Sequence, residues 1–245
     1  MRKSIFRAWV FVVSAGVTPF AGSCAPVYAG EPLVRTELVA PAEPAGGPTS
    51  RPSTGPATRE VVVKSPWMIR EASLPAGFPA VGPVGEIVLK RYPAYRAARV
   101  AAGPAAPAAG ASDSSMFGKL FDHIQRNDIQ MTAPVEMTYA DDGTRAVDMA
   151  FLYRETSWGR PGTDGPVRVV DLPAVNVVSI AVRGNYSAQN VKDAVGRLRE
   201  YVRRNGTQWE EAGPPRLLGY NSPFVPSFMR VSEVQLPVRP VGTGG

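Results

Sequence analysis

Hydrophobic and polar positions change their period several times along this chain. Residues 86–92 (EIVLKRY) and 95–101 read as extended runs. Pro93 separates them, because its ring removes a ladder donor. Residues 167–172 and 175–182 repeat the arrangement, with Pro173 at the break. Each bent pair leads into a helical pattern. In the first, Phe117, Leu120, Phe121 and Ile124 fall at i, i+3, i+4 and i+7 and make one apolar face, which Ser114 or Ser115 can cap. In the second, Val191, Ala194, Val195, Leu198, Tyr201 and Val202 form a stripe, with Lys192, Arg197, Arg199 and Arg203 off it. Ser187 is its N-cap, and Asn205-Gly206 predicts a left-handed ending.

Two strands are predicted after each helix. Residues 131–139 and 146–153 are joined by Asp141-Asp142-Gly143, a hairpin signal. Residues 216–221 and 228–236 follow the second helix, and Pro134 and Pro223 occupy matching places. The order is β-α-β-β twice. It predicts one α+β domain over residues 61–238, with pseudo-twofold symmetry and two helices covering a curved sheet.

The flanks lack such periodicity. Residues 30–60 are rich in Pro, Ala, Gly, Ser and Thr and read as a disordered tether. Residues 103–115 read as a low-complexity surface loop, and residues 239–245 as a frayed tail. The whole chain of 245 residues carries 24 Gly and 25 Pro, which fits long irregular stretches. At the N-terminus, Arg2, Lys3 and Arg7 precede an apolar run, so residues 1–29 read as an export signal. Two endings fit. Ala21-Gly22-Ser23 before Cys24 suits a lipoprotein signal with Cys24 lipidated; Val27-Tyr28-Ala29 suits ordinary cleavage. The expected location is the periplasm or outer surface, as a lipoprotein, or the medium.

Cleavage removes Arg2, Lys3 and Arg7 and lowers the net charge from +6 to +3. No dense basic stripe remains, so nucleic acid is not an expected partner. Membrane contact is expected only through the N-terminal lipid. One Cys and one His exclude an intramolecular disulfide and the usual Cys/His zinc sites. No phosphate loop, H-E-x-x-H or G-x-S-x-G occurs. Binding is therefore favoured over catalysis. A tetrapyrrole enzyme would have to use carboxylates such as Asp122, Asp128 or Glu136.

An ordered series of motifs spans residues 85–236. It comprises Val88-Leu89-Lys90-Arg91-Tyr92-Pro93-Ala94-Tyr95, Met131-Thr132-Ala133-Pro134-Val135 and Met149-Ala150-Phe151-Leu152, then Val182-Arg183-Gly184-Asn185-Tyr186, Leu218-Gly219-Tyr220-Asn221-Ser222-Pro223 and Ser232-Glu233-Val234. This series resembles the SOUL haem-binding protein family. The resemblance implies a distorted antiparallel β-barrel of two β-α-β-β pseudo-repeats with the helices packed outside. It also implies tetrapyrrole binding in an apolar groove near the first helix, by sequestration or carriage. The same fold occurs in effector-binding domains for other small molecules, so a non-haem apolar or cationic ligand is the alternative. The chain departs from the family in having no Gly in Arg126-Asn127-Asp128-Ile129, in its loop at 103–115, and in lacking a His nearer the N-terminus.

Haem needs an apolar slot, cations or amides for its propionates, and optionally an axial donor. The candidate slot is Leu120, Phe121, Ile124 and Met131, with Arg126 and Asn127 for a propionate. His123 is the only imidazole available for iron; Met131 and Met137 offer thioethers. The competing reading makes the apolar residues plain core and Arg126 a solvated helix-end cation. His123 lies about 600° round the helix from Phe117, which predicts a solvated or groove-edge position. Glu233 is expected to face solvent; turned inward, it would attract a cationic ligand.

Overall fold

The computed structural model describes residues 33–38, 58–63, 65–103, 114–140 and 143–242. Its elements are β1 (Leu33–Leu38), β2 (Thr58–Val63), β3 (Ile87–Tyr92), β4 (Tyr95–Ala101), α1 (Ser114–Arg126), β5 (Val135–Tyr139), β6 (Ala146–Leu152), β7 (Gly162–Asp164), β8 (Val167–Leu172), β9 (Val175–Arg183), α2 (Ala188–Arg204), β10 (Trp209–Glu211), β11 (Arg216–Gly219) and β12 (Val231–Pro240). Strands β3 to β12 form one antiparallel sheet in the order β3-β9-β12-β11-β5-β6-β4-β8-β7, with β10 also on β12. The sheet is open: β3 and β7 end it, and no ladder joins them. The expected barrel is therefore not closed. Exchanging β3, β4, β5 and β6 with β8, β9, β11 and β12 turns the central order into its own reverse.

Side chains alternate between the two faces of a strand. One register row runs Ile87, Ile180, Val234, Leu217, Met137, Met149, Val100 across seven strands. Both helices cover this apolar face. The buried stripe of α2 is Val191, Ala194, Val195, Leu198 and Val202, packed over β9 and β12. The stripe of α1 contains Met116, Leu120 and Ile124, packed over β4, β6 and β8. The central pair β5–β11 lies between the helices. The opposite face is covered by the irregular strap of residues 65–85, whose Met68, Leu74, Phe78 and Val81 pack on Tyr92, Leu218, Tyr220 and Val231.

Several expectations change. The segment expected as a tether contains β1 and the first half of β2, which continues to Val63; the two pair antiparallel in a two-stranded ribbon. Val61-Val62-Val63 and the Leu/Val/Thr positions of 33–38 supply the strand propensity. The expected tail is ordered at its start, because Glu210 and Trp209 of β10 pair with Arg239 and Pro240. Helix α2 is capped by Ser187, which accepts from Asn190 N at 3.2 Å. It ends without a left-handed residue: Asn205 has φ −107° and donates its backbone N–H to Tyr201 O and Val202 O. The left-handed residue is at α1 instead, where Asp128 has φ 53°. The export signal at 1–29, Cys24, Asp141, Asp142 and most of the 103–115 loop lie outside the described residues.

Candidate functional site

Between the helices, over the end of the β5–β11 pair, lies a groove with a cavity volume of about 120 Å³. Its floor is Val135, Met137, Met149 and Gly219, all on the helix-covered face. Phe117 of α1 forms one wall, and Tyr186, just before α2, forms the other. The loops holding Met131-Thr132-Ala133 and Asn221-Ser222-Pro223, with Glu71 and Ala72 of the strap, complete the rim.

The walls are held from behind. Phe117 stacks on Phe121 at 6.1 Å between centroids and meets Phe151 edge-on at 5.0 Å. Tyr186 leans over Gly219, where an added Cβ would stand 3.3 Å from its ring. Its hydroxyl donates to Asn221 O at 3.0 Å and accepts from Asn221 N at 3.1 Å. Burial pushes the Tyr186 phenol up to about 12. The polar groups of the rim are likewise engaged with the scaffold. Glu71 accepts from Ser222 N and Ser222 Oγ, both at 2.6 Å. Thr132 Oγ1 donates to Leu152 O at 2.5 Å, and Asn221 Nδ2 to Ile69 O at 2.7 Å. What faces the groove is mostly carbon and the thioethers of Met131, Met137 and Met149. Such a surface suits an apolar ligand.

Of the expected site residues, Met131 lies in this groove. Leu120 and Ile124 are buried at 0% and 1% exposure in the core beneath α1. Phe121 is half-buried and supports Phe117. Neither Arg126 nor Asn127 lines the groove. Arg126 pairs with Asp164 at 3.2 Å, and Asn127 Nδ2 donates to His123 O at 2.8 Å. His123 is 3% exposed, not solvated or at the groove edge. Its Nδ1 meets Asp164 Oδ2 at 2.6 Å and its Nε2 meets Tyr153 OH at 2.8 Å. The reason is rotation: the buried stripe is centred on Met116, Leu120 and Ile124, with Phe117 and Phe121 at its margin, so position 123 turns inward against β7. Both ring nitrogens are engaged away from the groove. A tetrapyrrole there would meet no imidazole, and thioethers are the soft donors facing it. Among the described residues no group of three or more His, Cys, Asp and Glu side chains is placed to hold a metal ion.

The strap-covered face carries a buried polar network. Glu233 is fully buried, contrary to expectation, and forms an ion pair with Lys90. It also accepts from Gly82 N at 2.7 Å, Tyr220 OH at 3.0 Å and Gln235 Nε2 at 3.1 Å. Burial lowers the Lys90 pKa, against the pull of Glu233. Nearby, Arg216 donates to Glu136 at 3.1 Å and to Tyr95 OH at 2.8 Å. The cation that an inward Glu233 calls for is thus the chain's own Lys90.

Tyr186, Asn221, Ser222 and Pro223 stand in the sequence motifs, yet nothing local marks them as groove-lining. Glu71 and Ala72 carry no sequence signal at all. The Val135/Met137 alternation was the usable clue, since both fall on one strand face.

The family model described as SOUL heme-binding protein matches residues 84–237. No curated protein matches the chain. Among solved structures, the EcmrR–DNA complex aligns at 19% identity and TM-score 0.48 over 64% of this chain and 58% of that one. A hydrolase from Listeria innocua aligns at 10% identity and TM-score 0.42, over 64% and 94%. SAV2435 bound to tetraphenylphosphonium aligns at 12% identity and TM-score 0.39, over 63% and 94%. The chain spans little more than half the length of the first of these.

Proposed function

We propose, since this chain belongs to the SOUL haem-binding protein family, that it binds haem or a related tetrapyrrole in the interhelical groove and sequesters or carries it without turnover. The observation that carries the reading is the groove's lining, apolar walls and thioethers whose neighbouring polar groups are already satisfied. When bound, the group supplies a large apolar disc with an iron and two carboxylates. Phe117, Val135, Met137 and Tyr186 would hold its faces. A cavity of about 120 Å³ is smaller than the usual ligand pocket of about 300 Å³ or more. Part of the ring and its propionates would therefore lie at the open mouth. The same small volume supports a second reading, a smaller apolar ligand with no iron. A cationic ligand at Glu233 has less support, because Lys90 supplies that charge.

The reading extends to the whole chain. The export signal, with Cys24 lipidated or removed, would place the domain outside the cytoplasm. The self-reversing strand order supports the two halves as repeats of one β-α-β-β unit.

Hemin titration followed at the Soret band tests the assignment. Saturable one-to-one binding is expected in the micromolar range or tighter. Met131→Glu should weaken it by about tenfold or more, through a charge facing an apolar ligand. His123→Ala should leave the bound Soret position unchanged. Unsaturable binding would sink the haem reading, and a Soret shift lost in His123→Ala would sink the groove assignment.

A further inference from the structure

The loop between β11 and β12 turns two phenylalanines outward: Phe224 is 82% exposed and Phe228 is 72% exposed. Trp67, 52% exposed, stands on the neighbouring strap. Arg183 ties the two segments together, donating to Trp67 O at 2.7 Å and Met229 O at 3.4 Å. Three of the four exposed large hydrophobics among the described residues thus share one end of the molecule. Their exposure does not come from an unconstrained loop. Arg230 holds it from inside, donating to Val225 O at 2.7 Å and Pro223 O at 2.6 Å. Val225 N and Met229 N close turns onto Ser222 O and Pro226 O.

Clustered exposed aromatics mark an interaction surface. Residues 223–229 (PFVPSFM) offer one polar side chain, Ser227, and no charge. A protein interface of this kind would carry a polar rim with hydrogen-bonding partners. Beneath the aromatics lie Arg183 and Arg230, neither ion-paired among the described residues. Residues 65–70 and 223–231 contain no Asp or Glu, and the adjoining Glu71 is engaged by Ser222 N and Oγ. Aromatic tips above two arginines, with Glu71 held by Ser222 as the carboxylate beside them, fit an anionic lipid surface, where aromatic rings sit at headgroup depth and cations meet the negative potential.

We propose that the 223–229 loop and Trp67 dock on an anionic phospholipid bilayer and bring the groove mouth to it. Pro223 belongs to both the loop and the groove rim. The groove's apolar ligand would then exchange with the membrane; that last step rests on the function proposed above, whereas the docking does not.

The test is sedimentation of the full chain with vesicles of phosphatidylcholine alone and of phosphatidylcholine with phosphatidylglycerol. Stronger binding to the anionic vesicles is expected. Phe224→Ser with Phe228→Ser should lower that binding by about tenfold while preserving the melting temperature and hemin binding in solution. Phe224→Trp with Phe228→Trp should retain vesicle binding. Equal sedimentation of the wild type and the serine variant would overturn the proposal, because the apolar N-terminal segment alone would then explain it. Absence of vesicle binding by the wild type would also overturn it and point the loop to a protein partner. Failure of hemin binding with vesicle binding intact would remove the site reading and leave the docking.

Discussion

Asp164 and Tyr153 hold the imidazole of His123 between them, at 2.6 Å from Nδ1 and 2.8 Å from Nε2. His123 sits on a helix whose apolar positions mark an obvious face, yet the buried centre of that face, at Met116, Leu120 and Ile124, is about a quarter of a turn from where Phe117 and Phe121 place it. Asp128 occupies a left-handed position at φ 53° after α1, where Ile129 N closes the helix onto Ile124 O at 2.8 Å. Such backbone favours glycine, and Asp tolerates it only partly. Asp128→Gly should therefore raise stability by up to about 1 kcal/mol. A urea midpoint that moves up at constant slope would show it; a fall would mean that the Asp side chain stabilises the turn more than its backbone strains it. The absence of glycine was legible in the sequence, but which residue takes the left-handed turn was not, because that depends on where the helix stops.

At the scale of elements, the helices and long strands were legible because their apolar positions repeat over several turns or residues. The hairpin β7–β8 was only half legible: Gly162-Thr163-Asp164 is too short to show a period. Yet β7 secures α1, through Asp164 on His123, Arg126 and Asn127. The His123 hydrogen bond, with Asn127 and Arg126 beside it, holds the Asp164 carboxyl below its ordinary 3.8. A carboxylate depressed in the folded state contributes stability that is fully present above its unfolded value. That contribution is lost as pH falls through the lower folded value. Melting temperature should therefore drop below about pH 4, and less steeply in Asp164→Asn. Parallel acid profiles for the two proteins would show that this contact contributes nothing to acid stability.

For the molecule as a whole, the two faces of the sheet have opposite chemistry. The helix-covered face is apolar and leaves a groove at its seam. The strap-covered face buries Lys90, Glu233, Arg216 and Glu136. Removing one partner of a buried pair leaves an uncompensated charge. Lys90→Met should cost about 3 kcal/mol or more by denaturant unfolding. Lys90→Met with Glu233→Gln should recover a substantial part, since the remaining donors can satisfy a neutral amide better than a bare carboxylate. A double variant as unstable as the single would locate the loss in Lys90 packing on Ala80, whose carbonyl accepts from Nζ at 2.7 Å.

Period and capping chemistry are local, so the chain alone carried the α+β class, most strand positions, both helices, the Ser187 cap and the family motifs. Contacts between distant segments are not local. The open sheet edges at β3 and β7, the inward turn of His123, the Lys90–Glu233 pair 143 residues apart and the strap over it arose only from packing. The groove has the same origin: Phe117, Met131, Met149, Tyr186 and Pro223 come from five separate stretches. No spacing in the sequence could announce that the seam between two helices would gather them.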